Sequence, residues 1–126
     1  MEKFINKIIE GNCVEVMKQF DDNVIDLTVT SPPYDDLRNY NGYVFPFEEI
    51  AQQLYRITKP GGVVVCVVAD ATIDGSETGT SFKQALYFKE IGFNLHDTMI
   101  FRKINPIPHI YRKRYTNEAD CSPLYG

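Results

Sequence analysis

The residues with the clearest chemical potential form the segment Ser31-Pro32-Pro33-Tyr34, which follows a run rich in β-branched residues. Two consecutive prolines fix the backbone and remove two N–H donors, so the Ser31 hydroxyl and the Pro32 carbonyl remain as acceptors. Tyr34 adds a flat apolar ring beside them. Acceptors next to an aromatic face suit a planar ring that carries an exocyclic amino group, because the acceptors bind its N–H bonds while the ring stacks.

Such a corner could also activate the bound amine for alkylation. An amine conjugated to a base ring is a poor nucleophile, and acceptors on both N–H bonds favour a pyramidal nitrogen with a localised lone pair. This stabilisation grows as positive charge develops on nitrogen, so it acts mainly in the transition state. Two other interpretations remain open: a turn that merely ends a strand, and a WW-domain ligand, although that ligand has a spacer residue before its Tyr.

The hydrophobic pattern places this segment in an alternating α/β chain. It predicts strands at Ile5–Ile9, Val24–Thr30, Val63–Ala69 and Phe93–Arg102, and helices at Cys13–Phe20, Phe47–Ile57 and Phe82–Ile91. Asn12 and Ser81 are natural N-caps for the first and third helices. This order predicts a mainly parallel sheet of about four strands with flanking helices, in which ligands bind at the carboxyl ends of the strands. Both Asn12 and the Ser31 segment follow such an end.

Length and composition narrow the function classes. The 126 residues, 44% hydrophobic and 24% charged, predict a single folded domain, and no apolar run approaches the roughly 20 residues of a membrane span. The three cysteines, Cys13, Cys66 and Cys121, form no C-x-x-C pair. Their spacing argues against a disulfide framework and against a metal site, and it favours a cytoplasmic location.

The charge is unevenly distributed along the chain. A net charge of −4 argues against a strongly basic nucleic-acid binder. Between Phe101 and Thr116, however, the chain has five basic residues and no acidic one: Arg102, Lys103, Arg112, Lys113 and Arg114. This segment is either a solvated loop or a surface that faces the phosphates of DNA.

Segments along most of the chain match the pattern of a known family: Ile8–Cys13, Asn23–Tyr34, Leu37–Gly42, Thr58–Gly62, Gly79–Phe82 and Ile91–Lys103. They resemble the amino-methylating DNA methyltransferases of bacterial restriction–modification systems and phages. The resemblance implies a partial Rossmann-like methyltransferase fold and transfer of a methyl group from S-adenosylmethionine to N4 of cytosine or N6 of adenine. It covers about residues 5–118, so we interpret residues 1–118 as the catalytic part and residues 119–126 as an irregular tail.

The resemblance implies roles for the matching site residues. Ser31 and the Pro32 carbonyl, held rigid by Pro33, would bind the amino group of a base flipped out of double-stranded DNA, and Tyr34 would stack on that base. Asn12 lies where the family has Asp or Asn near the adenine of the cofactor. Ser at position 31 resembles the cytosine-N4 branch, and N6-adenine methylation is the alternative.

One element of the family is absent from the sequence, namely a Gly-rich F-x-G-x-G-like loop that binds the cofactor. The order of motifs resembles the permuted branch, in which this loop and the target-recognition region lie C-terminal. We therefore expect a truncated enzyme, inactive alone, that needs a missing C-terminal half or a homodimer partner. Two alternatives stay open: an inactive remnant that binds DNA or itself, and a methyltransferase that acts on RNA or on protein glutamine.

Overall fold

The computed structural model describes residues 1–33, 45–102, 104 and 119–125, the last range by its backbone. A 3-10 turn, Glu2–Phe4, precedes the first helix. The elements are then α1 (Cys13–Met17), β1 (Ile25–Thr30), α2 (Phe47–Ile57), β2 (Thr58–Cys66), a small hairpin of β3 (Thr72–Ile73) and β4 (Ser76–Glu77), α3 (Thr80–Ile91), β5 (Leu95–Arg102) and β6 (Ala119–Tyr125).

The main sheet has four strands in the order β1-β2-β6-β5. β1 and β2 pair in parallel, and β6 pairs antiparallel with both β2 and β5. It follows that β1, β2 and β5 run in one direction and end at the same edge of the sheet. The predicted α/β fold with a four-stranded sheet and flanking helices is confirmed; three of the strands share one direction, and β6, which was not among the predicted strands, is antiparallel to its two neighbours.

Two predictions about strands are wrong. Residues Ile5–Ile9 form no strand, because a strand needs a neighbour for its hydrogen-bond ladder and none of the described residues pairs with this segment. Residues 119–125, predicted to be an irregular tail, form β6, which pairs with β5 from Leu95 opposite Tyr125 to Arg102 opposite Ala119. This pairing depends on β5, which lies far away in the sequence. The local composition of residues 119–125, which are polar and include Pro123, does not predict a strand.

The helices match their predicted positions more closely than their predicted ends. The first helix stops at Met17 rather than Phe20. The third begins at Thr80 rather than Phe82, directly after Gly79, whose φ is 70°. Ser81, predicted as the N-cap, lies in the first turn of α3 instead. There its backbone N–H and its hydroxyl both donate to the Asp70 carboxylate, at 2.7 Å each.

The core lies between the helices and one face of the sheet. It consists of Ala51, Leu54, Ile57, Val64, Cys66, Val68, Phe88 and Phe93. Phe88 is 1% exposed and makes edge-on ring contacts with Phe47 and Phe93, at centroid distances of 5.3 and 5.5 Å. This core therefore fixes α2 and α3 on the strands whose carboxyl ends carry the candidate site.

Arg56 of α2 joins the first helix to this core. Its guanidinium donates to the carbonyls of Met17 at 2.7 Å and Phe20 at 2.8 Å, and it contacts the Asp22 carboxylate at 2.6 Å. A cation at these carbonyls also complements the negative C-terminal end of α1. Arg56 thereby holds α1 at a fixed position beside α2.

Replacing Arg56 with Ala is expected to lower the free energy of unfolding by about 2 kcal/mol, because several charge-assisted hydrogen bonds are lost from a side chain that is only partly exposed. Urea denaturation measures the effect. The control is Lys59→Ala, which removes an exposed ion pair with Asp26 at 2.9 Å and should cost less than about 1 kcal/mol. Equal losses in the two variants would contradict the structural role of Arg56.

Candidate functional site

The carboxyl end of β1 fixes the backbone on which Ser31 stands. Thr30 is paired with Cys66 of β2, and the Val67 N–H donates to the Thr30 carbonyl at 2.9 Å. Ser31 is the next residue and is exposed, while Pro32 and Pro33 are half-buried. The predicted acceptor corner therefore begins directly at the end of a hydrogen-bonded parallel strand.

Asn12 lies at the start of α1. Its side-chain carbonyl accepts hydrogen bonds from the N–H groups of Val14 at 3.0 Å and Glu15 at 3.4 Å. The helix N-cap that the sequence predicted is thus confirmed. Its role near a cofactor adenine stays a prediction, and the capping carbonyl leaves the amide N–H bonds of the same side chain as donors.

A cavity of about 440 Å³ joins the end of β1 to the start of α1. Ser31, Pro32 and Pro33 line it, and Cys13, the residue after Asn12, faces the same space. The remaining wall is largely apolar and includes Met17, Phe45, Phe47, Ile50, Leu54 and Phe88. Its volume falls within the range of small-molecule sites, which are also mostly apolar with a few polar groups.

Sequence reasoning did not assign the aromatic wall of this cavity to the site. Phe47 marked only the first apolar position of a helix, yet it lines the cavity beside Phe45. Edge-on contact with Tyr87, at 5.5 Å between ring centroids, helps to hold Phe47 in place. The Phe-Pro-Phe spacing directly before a helix is the one signal that could have suggested an aromatic surface at this position.

Among the five basic residues predicted to face DNA, Arg102 lies within the described part of the chain. It is exposed and ends β5, so it lies at the same edge of the sheet as Ser31. Three strand spacings separate β1 from β5, which corresponds to roughly 14 Å. Tyr34, Lys103, Arg112, Lys113 and Arg114 lie outside the described residues.

Cys66 places a thiol in the cavity wall. It is 4% exposed, and burial raises the pKa of this thiol to about 12. The thiol therefore stays protonated at neutral pH and behaves as a small apolar group rather than as a nucleophile.

Alkylation should distinguish the two cysteines of this cavity. At pH 8 only about one in 10⁴ Cys66 thiols would be ionised, whereas Cys13 is exposed. Iodoacetamide should label Cys13 within minutes and leave Cys66 unlabelled until the chain unfolds or the pH approaches 12, as peptide mass spectrometry would measure. Labelling of both cysteines at equal rates near pH 8 in the folded chain would contradict this prediction.

Neither a metal site nor a membrane-spanning helix is found in the part of the chain that the structure describes. Within residues 1–33, 45–102, 104 and 119–125, no group of three or more His, Cys, Asp or Glu side chains is arranged to hold a metal ion. In the same described part, no helix has the length and apolar character needed to cross a membrane.

Comparison with known proteins gives one family. The family model for N6/N4 methyltransferases, described as DNA methylase, matches residues 25–125. The orphan methyltransferase M.BamHII of Bacillus amyloliquefaciens is 78% identical over 82 residues, which are 65% of this chain and 31% of that protein. The type II beta methyltransferase M.BslI of Bacillus sp. (strain NEB-606) is 28% identical over 135 residues, which cover 94% of this chain and 14% of that protein.

Solved structures match the same fold. The putative DNA modification methylase TTHA0409 of Thermus thermophilus is 22% identical, with a TM-score of 0.73, over 91% of this chain and 51% of that chain. The PvuII DNA methyltransferase (cytosine-N4-specific) is 21% identical, with a TM-score of 0.67, over 91% and 46%. The M1.HpyAVI–SAM complex is 21% identical, with a TM-score of 0.65, over 88% and 49%. The chain spans about half the length of these solved proteins and less of the sequence relatives.

Proposed function

Since this chain belongs to the N6/N4 family of DNA methylases, we propose that it supplies the amine-binding corner of an enzyme that methylates an exocyclic amino group in DNA. The observation that carries the proposal is the Ser31-Pro32-Pro33 corner, fixed at the carboxyl end of a parallel strand and open to a largely apolar cavity. Ligands of open α/β sheets bind at this end of the strands.

The proposed chemistry follows from the atoms at the corner. The Ser31 hydroxyl and the Pro32 carbonyl accept the two N–H bonds of the target amine, which localises the nitrogen lone pair. As the nitrogen–methyl bond forms, the bond between the methyl group and the sulfur of its donor would break, and its electron pair would stay on the sulfur as a neutral thioether. The amine becomes positively charged, so one of its remaining protons becomes acidic and passes to water without a strong base. The same acceptors stabilise that developing charge.

We propose S-adenosylmethionine as the methyl donor, whose sulfonium-bound methyl group is the electrophile. A solved relative is a complex with this cofactor. In this chain Asn12 is the residue that would face its adenine, because the next residue, Cys13, lines the same cavity and the Asn12 side chain keeps amide N–H donors. The sequence contains no F-x-G-x-G-like loop, so the described residues supply only part of a cofactor site.

The proposed substrate is double-stranded DNA with one base flipped out of the helix. Removing the base from its stack is required because its amino group is otherwise paired inside the duplex. The strand that Arg102 ends lies roughly 14 Å across the sheet from the strand that Ser31 follows, and it continues past the level of Thr30 at the same edge. This position suits contact with a phosphate of the DNA that flanks the flipped base. Lys103, Arg112, Lys113 and Arg114 are proposed to extend this contact.

Cytosine N4 is the proposed target, on the basis of Ser at position 31 and of the likeness to the cytosine-N4-specific PvuII enzyme. Adenine N6 is the second candidate, since the family includes both activities. The relatives are named as type II and orphan methyltransferases, which supports a proposed role in restriction–modification or in solitary DNA methylation. The alternative to an enzyme is a domain without catalytic activity that binds DNA or a second copy of itself.

The test uses a chimera in which residues 1–125 of this chain replace the corresponding part of the Bacillus amyloliquefaciens orphan methyltransferase. The chimera is incubated with DNA and S-adenosylmethionine, and the digested nucleosides are analysed by mass spectrometry. N4-methylcytosine is the expected product. N6-methyladenine alone would overturn the choice of base, and a folded chimera without any methylated product would overturn the catalytic function.

A further inference from the structure

The loop that follows β2 is tied to the peptide bond that precedes Ser31. β1 and β2 pair in parallel up to Thr30 opposite Cys66, and the residue after β2, Val67, donates its N–H to the Thr30 carbonyl at 2.9 Å. That carbonyl belongs to the peptide bond between Thr30 and Ser31. The orientation of this peptide bond, and with it the position of Ser31, therefore depends on where Val67 lies.

The same loop is held a few residues later by the start of α3. Asp70 lies three residues after Val67 and is half-buried. One oxygen of its carboxylate accepts the backbone N–H of Ser81 and the other accepts the Ser81 hydroxyl, each at 2.7 Å. Ser81 is 8% exposed, so these bonds are partly shielded from water.

These contacts make Asp70 a helix cap that comes from outside the helix. The first N–H groups of a helix lack partners within it, and the N-cap residue usually supplies an acceptor. The N-cap of α3 is Gly79, which has no side chain to do so. Asp70, 11 positions before Ser81, takes this role, and its charge complements the positive end of α3. A cap at position 79 would stabilise α3 alone, whereas Asp70 also joins α3 to the end of β2.

The segment between Val67 and Asp70 has little freedom between its two attachments. Val68 is 4% exposed and belongs to the core, and Ala71 is 6% exposed. The Ala71 carbonyl accepts the Thr78 N–H at 2.9 Å, which closes the β3–β4 hairpin at its base. A displacement of Asp70 would therefore be transmitted to Val67, because the hairpin and the core prevent the segment from absorbing it.

We propose that Asp70 is a positioning residue for Ser31: by fixing the loop after β2 on α3, it holds the Val67 N–H against the Thr30 carbonyl and so sets the place of the Ser31 hydroxyl. This inference rests on the proposed role of Ser31 in binding the target amine. An acceptor stabilises a developing charge only from a fixed position, and small displacements of such groups lower rates strongly. Asp70 acts through Ser31 and contacts no reacting atom.

The first test follows amide hydrogen exchange in the 126-residue chain, so it requires no methylation. Asp70→Ala should speed exchange of the Val67 amide about tenfold relative to the Val64 amide in the middle of β2. The matched control is Thr58→Val, which removes a hydroxyl bond of 2.6 Å to the Leu54 carbonyl at the opposite end of the same strand. This control should leave the relative exchange of the Val67 amide unchanged.

The second test is a double-mutant cycle in the chimera with the Bacillus amyloliquefaciens enzyme. Asp70→Ala should lower the kcat of methylation about tenfold and change KM by less than about twofold. Combined with Ser31→Ala, it should cause no further loss, because the hydroxyl that Asp70 positions is already absent. Asp70→Asn should restore most of the rate, since its side-chain oxygen can accept the Ser81 N–H and its amide can donate to the Ser81 hydroxyl.

Three results would overturn the inference: equal relative exchange of the Val67 amide in Asp70→Ala and Thr58→Val, an unchanged kcat in Asp70→Ala, or losses that multiply when Asp70→Ala and Ser31→Ala are combined. Multiplied losses would mean that Asp70 supports the fold independently of Ser31. A chimera that yields no methylated base would overturn the proposed function, and hydrogen exchange would still decide whether Asp70 holds the loop at Thr30. The two proposals can therefore fail separately.

Discussion

Replacing Ser31 with Ala is expected to lower the rate of DNA methylation by the chimera about 10²–10³-fold, which corresponds to roughly 2.7–4 kcal/mol of lost transition-state stabilisation. The hydroxyl is proposed to accept one N–H bond of the target amine, and that bond strengthens as charge develops on nitrogen. The loss should therefore appear in kcat more than in KM. Single-turnover methylation with labelled S-adenosylmethionine measures it.

A matched serine elsewhere provides the control for this prediction. Ser76 lies in the small β3–β4 hairpin, where its hydroxyl bonds only weakly to the Glu77 carbonyl at 3.3 Å. Ser76→Ala should methylate DNA at the rate of the unaltered chimera. Unchanged turnover in Ser31→Ala, or an equal loss in Ser76→Ala, would refute the assigned role of the Ser31 hydroxyl. Tyr34→Ala should also lose activity if the ring stacks on the flipped base.

Replacing Phe88 with Ala is expected to lower the free energy of unfolding by about 3–5 kcal/mol, because a fully buried aromatic ring is removed from the core of the described residues. Phe88 is 1% exposed, and its ring contacts those of Phe47 and Phe93. Truncation removes the buried ring and leaves a void that these neighbours cannot fill. Since Phe47 lines the candidate site, the same change should loosen the aromatic wall of the cavity.

Urea denaturation followed by circular dichroism measures this loss, and Phe82→Ala is the control. Phe82 lies on the same helix but is 67% exposed, so its truncation should change the free energy of unfolding by no more than about 0.5 kcal/mol. If the two variants unfold at the same urea concentration, Phe88 is not the centre of the core that the structure indicates.

The sequence predicted the elements whose signals are local. The spacing of Phe47, Ile50, Leu54 and Ile57 predicted α2, which the structure confirms with bounds Phe47–Ile57. Two prolines after a β-branched run predicted the end of β1, and the strand ends at Thr30. The prediction that Ser31 stands at the carboxyl edge of the sheet is confirmed for the same reason.

The features that the sequence missed depend on partners far along the chain. β6 forms only because β2 and β5 lie on either side of it, and Ile5–Ile9 fails to form a strand because no described strand lies beside it. The aromatic wall arises where Phe47 and Phe88, 41 positions apart, meet across two helices. Periodicity within a short window carries no information about such contacts.

The central proposal is that this chain directs a methyl group to an amino nitrogen of a DNA base. The most direct test gives the chimera S-adenosylmethionine with a ¹³C-labelled methyl group and locates the label in the digested nucleosides by mass spectrometry and NMR. The proposal predicts label on an exocyclic nitrogen, N4 of cytosine in the preferred case. Label on a ring carbon, such as C5 of cytosine, would contradict it.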